Sequence, residues 1–515
     1  MAKAIDTIIR HSMMMTIGTF ASRILGLVRE TIIAAFFGAS RQLDAFLVAY
    51  TLANLARQLL AEGALSATFV PIFSRVLNRQ GEERAKELGR QALTLLIIAG
   101  SLVVLLGMIL APFLVFLIAP GFSGQESLLA ISFTRRLFPF LLIISLSALV
   151  MGVLNSLGSF FVPAIAPAVS NVVFICITLI LHGKHGISAL PVAVLAGGFF
   201  QFLVQWIWST KKGFVLYPVK IDRGDDELRT MTRLFFPYVA GLSFNQLHPI
   251  ISRVMGSFLE AGSISVLNYA DRLLQLPLGL FVIAISQAVL PTLSKASSDK
   301  GEFAEIFGDS LKFSFFLILP ISVLAVIFSS EAVNCVFYRG AFDDWAWRAT
   351  SQSLAIYSLG MLGMALTNVT LRALYAYGLP KGALIVTAST VIINLLVSAS
   401  TMKWLSYRGI ALGVACAFTS GAFIGMYYLS KATEMNLKIF NYKWLAKLCL
   451  SAVILVVTTL SYKFLVPYRA EWGTIFKVLW LIGAGIAGMS VYGLTTLACG
   501  LQEWKWIERS FKRRR

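Results

Sequence analysis

The sequence predicts an all-α polytopic membrane protein, and three observations carry that prediction. Of 515 residues, 57% are hydrophobic and only 13% charged, about half the charged fraction of a soluble domain. The apolar residues recur in windows of about 20 or more, the length a helix needs to cross the hydrocarbon core. Within these windows polar and apolar residues do not alternate, as they would in the strands of a membrane β-barrel.

Apolar windows between charged or Gly/Pro-rich breaks number about 14. In order they cover 8–37, 43–75, 89–118, 128–157, 161–182, 187–209, 230–258, 263–294, 308–329, 350–377, 381–401, 409–430, 442–465 and 473–500. Several are longer than a perpendicular crossing needs, so tilt, kinks or extension beyond the bilayer are expected. Two breaks, 76–90 and 210–229, carry real polar length. The N-terminus is short and basic (Lys3, Arg10) and no small-residue cleavage site follows the first apolar run, so the first helix is expected to be retained.

Lys+Arg 44 against Asp+Glu 25 gives a formal net charge of +19. In a soluble chain such a balance would suggest nucleic acid; here the basic residues sit mostly in loops, and they read as topology signals rather than a nucleic-acid surface. Assigning alternate loops to one side collects roughly 26 Lys/Arg on the side of both termini against roughly 10 opposite. Both termini are therefore expected in the cytoplasm, with the basic tail 501–515 also touching anionic lipid headgroups. Five cysteines lack metal-like spacing; four lie in apolar runs, where small buried thiols are expected, and Cys335 has no nearby partner in sequence.

The chain repeats itself. Val70-Pro71-Ile72-Phe73-Ser74-Arg75 closes the second span, and Leu290-Pro291-Thr292-Leu293-Ser294-Lys295 closes the eighth, 220 positions later. Gly158 and Gly378 share that offset, and Ala189-Leu190 with Val192-Ala193 matches Ala411-Leu412 with Val414-Ala415 at 222. A duplicated six-span unit follows. Six is even, so the two halves keep the same orientation, related by an axis along the membrane normal. Two parallel six-helix lobes around a central cavity form a transporter architecture, with two extra C-terminal helices outside the repeat.

Charges inside the spans are the candidate site. An arginine at the bilayer centre costs roughly 2.5–3.5 kcal/mol unless it faces protein or a wet cavity. Span one carries Arg23, Arg29 and Glu30; at about 100° per residue Glu30 returns to within about 20° of Arg23, with Arg29 about 120° away, so one wide polar face is implied. Span two carries Asp44, Asn54, Arg57 and Glu62, and Asn54 and Arg57 share a face as i,i+3 neighbours. Glu62 reads as a neutralising or cavity-lining charge. Span eight carries an adjacent Asp271-Arg272, a candidate internal ion pair with the guanidinium still free to coordinate. Arg253 and Arg372 lie nearer span ends and read as snorkelling candidates, and His248 as a packing histidine.

No Asp or Glu occurs between Asp344 and Glu434 or between Glu227 and Glu260, which argues against a carboxylate-built proton or sodium site in those spans. The cavity as read is cationic and suits phosphate, because arginine offers a fixed bidentate fork and always keeps its charge. Neither a metal site nor a cofactor is expected, and the sequence offers no nucleophile motif or Gly-rich phosphate loop to support catalysis.

The stretch Ser22-Arg23-Ile24-Leu25-Gly26 … Arg29, with Asp44-Ala45-Phe46 … Asn54-Leu55 … Arg57 … Glu62-Gly63-Ala64-Leu65-Ser66 … Phe69-Val70-Pro71, strongly resembles the MurJ (MviN) family of lipid II flippases. That family lies in the multidrug/oligosaccharidyl-lipid/polysaccharide exporter superfamily. Ala119-Pro120-Gly121-Phe122 and Tyr269-Ala270-Asp271-Arg272-Leu273 resemble it too. The resemblance implies an N-lobe over 1–210, a C-lobe over 228–432, and spans thirteen and fourteen (440–500) lining a groove for a polyprenyl tail. It implies functional charges at Arg23, Arg29, Asp44, Arg57 and Arg272. Lipid II would be the substrate, flipped across the bacterial inner membrane by a monomer working near cell-wall synthesis enzymes. Glu30 departs from the family's usual Asp, and the carboxylates some members place in spans seven and eleven for sodium are absent here. Two alternatives stand beside this. One is a flippase for another polyprenyl-pyrophosphate-linked glycan; the other is a membrane glycosyltransferase, whose acidic residue would have to come from the loop at 330–349. There Asp343 and Asp344 read as caps of a short helix before span ten.

Overall fold

The computed structural model describes residues 2–59, 65–222, 224–243, 246–434 and 441–512, and among them there is helix and no strand. The chain divides into two compact units, Met1–Gly262 and Ser263–Arg515. Helix occupies nearly all of the described residues in each predicted window. By length and composition, nine of the described helical stretches are long and apolar enough to cross a membrane, or ten if a pair bent by 43° is one span. One of the nine, Phe161–Lys211, is counted once although it folds back on itself.

The first unit opens with α1 (Ala2–Phe37) and α2 (Arg41–Ala56), whose start Ser40 caps by accepting the Leu43 N–H at 3.3 Å. Span two does not run through as one α-helix. Residues 57–59 widen into a π-helical turn, and the α-helix resumes as α3 (Ser66–Gln80); Glu62 lies outside the described residues. Then come α4 (Glu82–Ile109), α5 (Ala111–Ile118), α6 (Gly124–Leu137), α7 (Pro139–Ser156), α8 (Phe161–His185), α9 (Ala189–Lys211), α10 (Asp226–Ser243) and α11 (Leu247–Gly256). A single 3₁₀ turn at Gly186–Ser188 reverses the chain, so α8 and α9 form a hairpin. Here α1 packs along α8 and α9 along α7, while the seventh span, α10 with α11, packs on α2 to α5. The division between units falls at Gly262, after span seven.

The second unit contains α12 (Ser263–Pro277), α13 (Ile283–Ala296), α14 (Lys300–Ile327), α15 (Ser329–Phe337), α16 (Asp344–Leu359), α17 (Met361–Ala376), α18 (Pro380–Leu405), α19 (Tyr407–Thr433), α20 (Tyr442–Leu465), α21 (Thr474–Ala498) and α22 (Glu503–Lys512). A π-helical turn, Leu278–Val282, separates α12 from α13. Position 58 of the first π-turn corresponds to 278 at the repeat offset of 220, so the widened turn recurs at the equivalent place. Such turns break the α-helical hydrogen-bond ladder locally and commonly accompany functional positions. The core is built on fully buried Leu293, Phe303, Phe307, Leu311, Leu374 and Leu429.

The hairpin α18–α19 packs so closely that a Cβ on Gly413 would lie 2.9 Å from the Asn394 carbonyl oxygen. Small residues permit this approach, and dispersion then holds the pair together where lipid supplies no hydrophobic drive. The two helices outside the repeat, α20 and α21, form another hairpin against α14 and α15. Polar ties fix it there: Tyr492 Oη donates to the Phe316 carbonyl at 2.9 Å and Tyr468 Oη to Asn334 Oδ1 at 2.8 Å. Asp343 caps α16, accepting the Ala346 N–H at 2.8 Å.

The cysteines correct an expectation. Cys176 and Cys449, in apolar runs, are exposed, Cys416 and Cys499 are half-buried, and Cys335 outside those runs is the buried one. An apolar run in a membrane helix has an outer face toward lipid as well as an inner face, and hydropathy alone does not say which face a thiol takes.

Candidate anion site

The long helix α1 positions Arg23 and Arg29 six residues apart, and α8 packs along it. Arg29 is heavily engaged. Its Nη2 donates to Glu30 Oε1 at 2.8 Å and its Nη1 to Asn171 Oδ1 of α8 at 3.1 Å. The guanidinium carbon lies 5.3 Å from the centre of the Phe174 ring, a cation–π contact. Its Nε is buried and finds no hydrogen-bond partner among the described residues. Glu30, the partner, is only 5% exposed. Arg23 differs: half-buried, it has no ion pair or hydrogen bond among the described residues.

On α2, Asp44 is 3% exposed, and its Oδ2 accepts the Gly262 backbone N–H at 2.7 Å. The first turn of span two is thereby tied to the chain leaving span seven. Nearby, Arg253 Nε donates to Thr51 Oγ1 at 3.1 Å and Ser257 Oγ accepts the Gly121 N–H at 3.0 Å. So Arg253, a snorkelling candidate by sequence, instead joins α11 to α2. Asn54 Oδ1 accepts from Arg57 Nε at 2.9 Å, as their i,i+3 spacing implies, and Arg57 opens the π-turn.

In the second unit Asn268 is buried on α12, and Asp271 and Arg272 are half-buried. Asp271 Oδ2 accepts from Gln275 Nε2 at 2.6 Å. Tyr269 clusters with Phe337 (tilted, ring centres 4.9 Å apart) and Phe342 (edge-on, 5.4 Å), and so anchors this turn of α12. Arg372 is half-buried on α17, and His248 half-buried on α11. Asn171, Phe174 and Thr51 did not emerge from the sequence. A polar residue in the middle of an apolar window was the available signal for Asn171.

A second polar cluster of the first unit lies at the other end of the chemistry. The segment between α9 and α10 lies along α4, with Phe214 and Leu216 buried. Arg90 Nε donates to the Val215 carbonyl at 3.1 Å, and Thr94 Oγ1 accepts the Val219 N–H at 2.8 Å. Arg84 gathers Asp225 (2.7 Å), Glu87 (3.0 Å) and Glu227 (3.3 Å). Burial pushes the Asp225 carboxyl up, but the Leu228 N–H and Arg84 outweigh it and hold the group below its ordinary value. Among the described residues no three His, Cys, Asp or Glu side chains group as metal ligands.

Apolar helices long enough to cross a bilayer, with arginines and carboxylic acids set inside them, mark a multi-pass membrane protein with a polar site among its spans. The family model described as lipid II flippase MurJ matches residues 33–483. The lipid II flippase MurJ of Burkholderia cenocepacia is 34% identical over 79% of this chain and 81% of its own. A solved structure described as lipid II flippase MurJ in an inward closed conformation is similar with a TM-score of 0.76. It is 26% identical, covering 93% of this chain and 98% of the other. An inward-facing multidrug resistance MATE transporter of the MOP superfamily shares the fold, with TM-score 0.68 at 16% identity over 80% of this chain and 94% of its own. The chain belongs to the lipid II flippase MurJ family and is a multi-pass inner-membrane protein, a transporter and not an enzyme.

Proposed function

We propose that the chain carries lipid II from the cytoplasmic to the periplasmic leaflet by alternating access, with Arg23, Arg29, Arg57 and Arg272 binding the pyrophosphate and Asn54 assisting Arg57. The observation that carries the site is Arg23, a half-buried guanidinium within α1 without a partner among the described residues. Such a charge is costly to keep in a membrane unless something compensates it, and a diphosphate supplies paired oxygens for its fork. Glu30, Asp44, Glu62 and Asp271 then serve as structural or gating charges.

In this reading the lobes at 1–210 and 228–432 alternate in access, both termini lie in the cytoplasm, and a monomer suffices, working beside cell-wall synthesis enzymes. The helices at 440–500 guide the polyprenyl tail. Membrane potential assists the loaded step: moving about two negative charges out of a negative interior gains roughly 4–5 kcal/mol per 100 mV. Depleting the protein in its host should accumulate cytoplasmic lipid II and cause lysis. Normal periplasmic delivery of lipid II after depletion would overturn the reading. Collapsing the potential while keeping the proton gradient should slow translocation; an unchanged rate removes the energetic part alone.

A further inference from the structure

The engagement of Arg29 depends on a neutral amide from another helix. Asn171 Oδ1 accepts from Arg29 Nη1 at 3.1 Å, while its Nδ2 donates to the Ser22 carbonyl at 3.1 Å. Ser22 and Arg29 are seven residues apart on α1, about two helical turns. Helical side chains lean toward the N-terminus, so the long Arg29 side chain reaches back and lets one short amide meet both groups. Only one orientation of that amide works. Turned over, it would set NH₂ against a guanidinium and its oxygen against a carbonyl, and both bonds would be lost. Phe174, three residues on and therefore on the same face of α8, lies 5.3 Å from the same guanidinium. With Glu30 on Nη2, Arg29 is held at both terminal nitrogens and by an aromatic ring.

We propose that Asn171 is a positioning residue of the anion site. It orients Arg29 and pins the turn bearing Ser22 and Arg23 to α8, and Phe174 supports it. The inference rests on the reading that Arg23 and Arg29 take the pyrophosphate. Neutrality is the point of the amide. An aspartate of the same shape would give Arg29 a second carboxylate beside Glu30, cancel the charge meant for the substrate, and repel the Ser22 carbonyl.

The test is lipid II translocation by the purified full-length protein in proteoliposomes, as a function of lipid II concentration, with the melting temperature measured in parallel. Asn171→Ala should raise the apparent KM about tenfold with kcat within about twofold. Asn171→Asp, though isosteric, should raise KM more than Asn171→Ala does. Phe174→Leu should give a smaller increase in the same direction, and it serves if Asn171→Ala fails to fold. A role in packing alone would leave the isosteric aspartate as the milder of the two, and that order overturns the proposal. So does an unchanged KM in Asn171→Asp while Arg29→Ala is impaired. If Arg29→Ala also keeps a normal KM, the reading of Arg29 as a site residue falls first.

Discussion

Arg84 and Arg23 belong to the same unit and differ in company. Arg84, at the start of α4, is ringed by Asp225, Glu87 and Glu227. Arg23, within α1, has no such partner among the described residues, and Arg29 between these extremes has a carboxylate, an amide, a ring and the Tyr50 hydroxyl. In the strap of 212–225, backbone and side-chain groups bond to α4, and the charges hold a segment in place. On α1 the positive charge is left in excess. Matched charge holds the scaffold together, whereas charge left over inside a membrane span is costly unless something compensates it, and in the proposed function the substrate takes that part.

The comparison breaks most visibly at Arg23. Arg23→Glu should abolish complementation of a host depleted of the protein, with expression and melting temperature near wild type; growth at the wild-type rate would place Arg23 among the structural charges. Arg84→Ala should do the reverse. It strips the side-chain-buried Asp225 of its cation while Gln91 Nε2 (3.2 Å) and the Leu228 N–H (3.0 Å) remain. The expected loss is about 1–3 kcal/mol of stability, with substrate KM unchanged, read from thermal unfolding and transport on the same preparation.

Asp225 predicts a pH dependence of definite sign. Its native carboxyl titrates below the unfolded value, which lies near about 4. Its contribution to stability is therefore complete above that value and is lost as pH falls through the lower native one. Asp225→Asn should flatten that acid limb of a melting-temperature profile, and an identical limb in wild type and variant would refute the assignment. At the small end, Lys300→Ala removes a 3.8 Å pair with Glu434, the two side chains being 59% and 87% exposed. No measurable shift in unfolding midpoint is expected, because solvent screens such a pair.

Much of this was readable from single windows. The apolar length of the spans and the charges set inside them are properties of one stretch at a time. Asp343 was recognised as a cap because the residue type and the following helix sit together in sequence. Span two was read as continuous, and the π-turn at 57–59 escaped because Arg57, Gln58 and Leu59 are all good helix formers, and residue type does not separate a π-turn from an α-helical one. The cysteines were misplaced for another reason: a window reports how apolar a helix is, not which side faces its neighbours.

The sequence by itself determined the helical membrane fold, the family, and the presence of arginines inside the spans, since a charge in an apolar run is costly whatever surrounds it. Which arginine is already committed was decided only by tertiary structure. Asn171 meets Arg29 across 142 residues, and Asp44 meets Gly262 across 218. Each residue turns a helix face by about 100°, so such meetings depend on how α1 is rotated against α8 and where α11 ends beside α2, which no local pattern specifies.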